Sequence, residues 1–208
     1  MPVTNVSPTR MELTQLKRRL TTATRGHKLL KDKQDELVKK FIELVRQNRE
    51  LRMEVEKELS AAFGNFVVAS AVMSAPALES ALLFPMQSVS VDVSTRNIMS
   101  VNTPVFDLKR ENVDTSLPYG LAQTSAELDF ALERMQAVFE KLIKLAEVEK
   151  SCQLMAKEIE RTRRRVNALE YVMIPNFKST IRMITMKLDE ADRSTRVNLM
   201  KIKQMQDQ

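Results

Sequence analysis

Apolar side chains recur along the first quarter of the chain at alternating steps of three and four. From Leu13 the series runs Leu16, Leu20, Ala23, His27, Leu30, Gln34, Leu37, Phe41, Leu44, Asn48, Leu51 and Val55. A seam sustained over this many heptads is the signature of a helix supercoiled against a partner. Leucine holds most of the d positions, and the polar residues His27, Gln34 and Asn48 all fall at a. Polar a residues weaken a seam and fix its register, which marks Gln34 and Asn48 as register-setting candidates. Thr9 followed by Glu12 makes a capping box, so the helix is expected to begin near residue 10. It runs at least to Leu59, roughly 75 Å at 1.5 Å per residue. A helix of that length is a rod rather than the wall of a compact domain.

A second rod is expected from about Leu121 to Lys203, opened by a second capping box at Thr124 and Glu127. Its seam comes in two stretches, Cys152, Met155, Ile159, Thr162, Val166 and Leu169, then Phe177, Ile181, Ile184, Leu188, Ala191, Thr195, Asn198 and Ile202. Between them the spacing slips to consecutive fours through Leu169, Met173, Phe177 and Ile181, and Pro175 lies in the slip. Proline removes a backbone hydrogen bond and a stutter unwinds a supercoil, so a bend is expected at Pro175.

The stretch between the rods has a different texture. Gly64 and Gly120 bracket it, and Pro76, Pro85, Pro104 and Pro118 lie inside it. Val89, Val91 and Val93 alternate with polar residues before a polar turn expected at Ser94–Asn97, and a second apolar run follows. Together these read as a β-hairpin near 88–108, with Pro104 at an edge or past the pairing. Before it, "LSAAFGNFVVASAVMS" is apolar nearly all round and reads as a continuation of the first helix or a separate short one. The expected architecture is mainly α: a long antiparallel two-helix coiled coil made from residues 1–60 and 121–208, with a small head from 61–120 containing a short hairpin and a short helix. The second arm is the longer, so its stretch 121–145, with Leu128, Phe130, Leu132, Met135, Val138, Phe139, Leu142 and Ile143, is placed under the apolar middle to complete the head.

Charge and composition narrow the function more by exclusion than by assignment. Net charge is +6, divided as +5 over residues 1–60, −2 over 61–120 and +3 over 121–208. Such a balance suits an acidic partner, protein or nucleic acid. One histidine and one cysteine, His27 and Cys152, leave neither a nucleophilic triad nor a zinc cluster within reach, and 3 glycines cannot build a phosphate loop. No catalytic, cofactor-binding or metal-ligating residue is therefore assigned, and no cofactor is expected. Lone Cys152 also gives no internal disulfide. The beginning of the sequence has no apolar core of signal-peptide type, and the most apolar run, "AAFGNFVVASAVM", falls short of the roughly 20 residues of a bilayer span. The chain is expected to reach a membrane only through partners. The "RTRRR" run, Arg161 to Arg165, has the charge to grip phosphates, but only 5% of residues are aromatic, which leaves little for bases to stack on. Periodicity alone leaves open a stalk or adaptor of any assembly and a basic helical hairpin for nucleic acid.

Two long stretches are more specific. "SPTRMELTQLKRRLTTATRGHKLLKDKQDELVKKF" (7–41) and "EIERTRRRVNALEYVMIPNFKSTIRMITMKLDEADR" (158–193), about a third of the chain together, resemble the D subunit of the V/A-type rotary ATPases, the central-stalk rotor component. The ending "MKIKQMQDQ" is similar to bacterial or archaeal members. The resemblance implies a left-handed two-helix shaft inside a ring of alternating catalytic and non-catalytic subunits. A small companion stalk subunit, expected on the mid-shaft, and a funnel-shaped subunit on the membrane rotor ring would engage it elsewhere. It further implies a peripheral place on the cytoplasmic face, no nucleic acid, and ion transport (protons or sodium) coupled to ATP hydrolysis or synthesis by sites in the ring. On this reading Arg10, Lys17, Arg18, Arg25, His27, Lys28, Arg182 and Arg196 face the ring's inner wall. Gly26 costs about 1 kcal/mol relative to alanine inside a helix, so it is expected where another backbone approaches, either the second helix or the ring.

Overall fold

The computed structural model describes residues 7–83, 88–111, 119–120 and 124–206; Pro85, Pro118 and Leu121 lie outside them. Helix α1 spans Arg10–Val72, 63 residues without a break. Thr9 caps it, its hydroxyl accepting the Glu12 backbone N–H at 3.2 Å. Every position of the expected seam from Leu13 to Val55 is buried or half-buried, with Leu16, Leu37 and Val55 the most enclosed. The same spacing carries on through Glu58, Ala62, Asn65 and Ala69, which are likewise shielded. The apolar run after residue 60 is thus first of all a continuation of α1, passing through Gly64. A short helix α2, Ala75–Leu82, follows with a proline in its first turn, where the missing N–H costs nothing.

Strands β1 (Ser88–Ile98) and β2 (Val101–Glu111) form a two-stranded antiparallel sheet in which Ile98 pairs with Val101 and Ser88 with Glu111. Pro104 pairs with Thr95, which a two-stranded sheet permits because both of its strands are edges. The turn is not at Ser94–Asn97, which lies inside β1. It is the two-residue loop Met99–Ser100, both with positive φ (53° and 71°), as a type I′ turn requires. Asn97 organises it: its Oδ1 accepts the Ser100 N–H at 3.1 Å, and its Nδ2 donates to Asn102 Oδ1 across the ladder at 2.7 Å. The polar residues that signalled a turn are therefore its flanking braces. Val101 and Thr103 of β2 are buried, whereas β1 is exposed along its length until Ile98.

Helix α3 spans Ala126–Asn167. Its cap is Ser125, whose hydroxyl accepts the Glu127 N–H at 3.2 Å; Thr124 instead donates to the Gly120 carbonyl. The early seam of α3 is Leu128, Ala131, Met135, Val138, Leu142 and Leu145, all buried or half-buried, while Phe130 and Phe139 face solvent. Leu128 meets Ala69 and Ala81 in a small core, with Phe66, Met73, Leu78, Tyr119 and Leu132 packed around it. Burying a leucine-sized side chain contributes about 1.5–3 kcal/mol, and alanines opposite it let the helices approach closely.

At the slip in spacing the helix widens into a π turn, Ala168–Met173, where the Ile174 N–H donates to the Leu169 carbonyl five residues back. The seam steps by five here, from Leu169 to Ile174, then resumes through Phe177, Ile181, Ile184 and Leu188. Met173, expected in the seam, is exposed, and half-buried Ile174 takes its place. Helix α4 continues over Ile174–Gln206 with Pro175 as its second residue. A proline ring clashes with the carbonyl four residues back in α geometry, and opening the preceding turn to five residues relieves that conflict. The expected seam residues Ala191, Thr195, Asn198 and Ile202 are exposed. Arg10, the first residue of α1, already stands opposite Asp192, so α1 has no further residues to cover them.

The chain divides into two compact units, one of Met1–Glu36 with Ile159–Gln208 and one of Leu37–Glu158. In the first, Arg10 meets Asp192 and His27 meets Glu170, so the helices run antiparallel. In the second, Glu58 meets Lys141 and Ala69 meets Leu128, again antiparallel.

Candidate functional site

The expected interface residues, with Gln34 and Pro175, gather in the first unit; Asn48 falls in the second. Arg10 is bound by both carboxylate oxygens of Asp192, at 3.1 and 3.2 Å. Both side chains are at least half exposed, and this geometry stabilises by at most about 1 kcal/mol. His27 Nε2 lies 3.3 Å from Glu170 Oε2 in the π turn, with the imidazole four-fifths shielded. Of the three polar a residues, His27 is the one that reaches a side chain across the seam. Half-buried Gln34 and Asn48 make no side-chain hydrogen bond among the described residues. An added Cβ at Gly26 would meet no atom within 4 Å. Of the two approaches expected at this glycine, the second helix of the same chain does not supply one.

Lys17, Arg18, Arg25, Lys28, Arg182 and Arg196 are exposed and have no ion-pair partner among the described residues. Arg196 lines an open groove on α4 with Asp189, Asp192, Arg193, Val197 and Met200. Folding also concentrates charge in a way that counting along the chain conceals. The first unit holds 19 basic and 10 acidic residues, net +9, whereas the second holds 14 and 17, net −3. The partners Glu170 and Asp192, and the exposed trio Tyr171, Val172 and Met173, were missed by sequence reasoning. The slipped spacing was the one available sign of the last.

The second unit is held by a different set of contacts. Lys141 Nζ binds Glu58 at 2.5 Å and stands 3.8 Å from Glu54, and the hydrogen bond to Glu58 raises its pKa above the ordinary lysine value. The Tyr119 hydroxyl donates to Asp129 Oδ1 at 2.5 Å; burial, then this bond to a carboxylate, holds the phenol well above its ordinary pKa. Phe106 of β2 donates its backbone N–H to Glu147 Oε2 of α3 at 3.3 Å, which ties the hairpin's inner edge to the helix. Burial, then the nearby Glu149 carboxylate, pushes the Cys152 thiol up. Among the described residues no group of three or more His, Cys, Asp or Glu is placed to hold a metal ion, and no helix is long and apolar enough to cross a membrane.

Comparison with known proteins is specific. The family model for the ATP synthase D subunit matches residues 12–204. The D subunit of a V-type ATP synthase from Clostridium botulinum (strain Langeland / NCTC 10281 / Type F) is 61% identical over 207 residues, covering 98% of this chain and 96% of the relative. The one from Thermoanaerobacter sp. (strain X514) is 58% identical over 205 residues, covering 99% and 98%. Neither a stalk of some unrelated assembly nor a nucleic-acid-binding hairpin finds support in these matches. Seams, capped long helices, hairpin and full-length likeness converge: the chain belongs to the ATP synthase D subunit family, the central-stalk components of V-type rotary ATPases.

Proposed function

We propose that this chain is the non-catalytic rotor shaft that couples a ring of alternating catalytic and non-catalytic ATPase subunits to the ion-translocating rotor of the membrane. It acts on the cytoplasmic face, held peripherally through a small companion stalk subunit and a funnel-shaped subunit on the membrane rotor. The observation that carries this reading is α1, 63 residues of unbroken helix with a shielded seam, in a chain that matches the family model from residue 12 to residue 204. A continuous helix transmits twist because each turn is bonded to the next. The reactive sites belong to the ring, and the chain's own part is mechanical.

The first unit is the part that meets the ring. Its unpaired cations, Lys17, Arg18, Arg25, Lys28, Arg182 and Arg196, make contacts of up to about 1 kcal/mol each when paired at a wet surface. Weak, replaceable contacts suit a part that must release one stop and engage the next. Gly26, open on its outer side, leaves room for a ring backbone to approach. The test is reconstitution of the ring together with the membrane rotor and its linking subunits, with and without the full chain. Stable co-assembly, with ion-coupled ATPase activity only when the chain is present, is the expected result. A ring that is fully coupled without it would overturn the proposal.

A further inference from the structure

The π turn has a feature that shaft geometry alone does not require. Tyr171, Val172 and Met173 are 71%, 55% and 44% exposed, three consecutive large apolar side chains turned away from the seam. The turn itself buries none of its residues. Eight residues before Val172 and Met173 stand Arg164 and Arg165, both exposed. Two turns that include the step of five span eight residues, as from Val166 to Ile174, so the apolar trio continues a stripe that starts in cations on its N-terminal side. Arg164 is paired with Glu160, but Arg161, Arg163, Arg165 and Lys178 have no ion-pair partner among the described residues.

We infer that the π turn is a docking surface for a ring segment that carries an apolar side chain among carboxylates, and that the extra residue is what builds it. This rests on the rotor reading and adds a place to it. An apolar centre with a charged rim is the anatomy of a specific contact. The choice of an acidic partner follows from the unpaired arginines and from the +9 charge of the unit that holds them. Removal of one residue from 168–173 would turn the step of five between Leu169 and Ile174 into the ordinary four. The seam would then be regular and, with Pro175 replaced by alanine, the helix wholly α. The insertion is thus unnecessary for pairing with α1, and π turns inside α-helices are frequently sites of function.

The experiment uses the full chain and the ring assembled from its catalytic and non-catalytic subunits. Deletion of Val172 combined with Pro175→Ala, which removes the ring that the wider turn accommodates, should leave the melting temperature of the free chain unchanged or raised, yet weaken ring binding at least about tenfold. The double variant Tyr171→Ser/Val172→Ser, which keeps the chain length, should weaken binding comparably and reports on the surface even if the deletion misfolds. Arg163→Glu/Arg165→Glu should weaken it as well and make it less sensitive to salt. A folded deletion chain or serine variant that binds the ring as tightly as the parent would overturn the inference while leaving the rotor function standing. Failure of the parent chain to bind the ring would overturn both.

Discussion

Single side chains carry most of the pH and redox behaviour. The phenol of Tyr119 and the amine of Lys141 both have folded pKa values above their ordinary ones. Each therefore stabilises the fold fully below its unfolded pKa, about 10 and 10.4, and the contribution fades as pH rises through the folded value. Chemical denaturation should show stability level through neutrality and falling above about pH 10. Tyr119→Phe should flatten part of that alkaline fall and cost about 1 kcal/mol at pH 7 by leaving Asp129 without its donor; an unchanged alkaline slope would show that the phenol is not responsible. The Cys152 thiol, raised by burial and by Glu149, should alkylate several-fold more slowly at pH 8 than a small free thiol, because the thiolate is the reactive form. Equal rates would contradict that shielding. None of these partnerships was legible in the sequence. Asp129 and Glu58 look like other acidic residues on a charged face until the fold brings Tyr119 and Lys141 against them, and the helix spacing that predicts neighbours within one helix is silent on neighbours between two.

Elements were far more legible, for a physical reason. The seam of α1 repeats one constraint at every turn, so a few polar exceptions cannot hide it, and all its predicted positions are shielded. Single-copy signals fared worse. The second cap moved by one residue from Thr124 to Ser125, because neighbouring hydroxyls offer the same oxygen and the seam does not choose between them. The hairpin turn moved from the polar Ser94–Asn97 to Met99–Ser100, because here the left-handed backbone is held by the Asn97 side chain rather than by glycine. That arrangement predicts a gain: Met99→Asn/Ser100→Gly should stabilise the hairpin by about 1 kcal/mol, by relieving two positive-φ residues. Protection of hairpin amides from hydrogen exchange is the check, and lower protection would count against it. In the rods, Leu37→Ala should cost about 2–5 kcal/mol, since Leu37 is wholly buried. Replacing Gln34 by leucine and Asn48 by isoleucine should raise the melting temperature while loosening register, read by cross-linking between α1 and its partner helix; a lower melting temperature with unchanged assembly would remove them as register residues.

For the whole molecule, the family was legible in two motif stretches, whereas the distribution of charge was not. Segment sums of +5 and +3 give no hint that folding gathers +9 into one unit. That concentration predicts that assembly with the ring weakens steeply between low and physiological salt, where screening shortens from about 30 to 8 Å. Titration of ring binding against salt would show it, and salt-independent binding would sink the electrostatic account. The hairpin has a consequence for life outside the complex. Among the described residues β1 pairs only with β2, and its other side is an 11-residue edge with alternating valines and no proline. Such an edge is a template for adding strands from like molecules. Copies made in excess of their partners should therefore stick to one another, so a cell producing this rotor component gains from matching its synthesis to that of the rest of the motor.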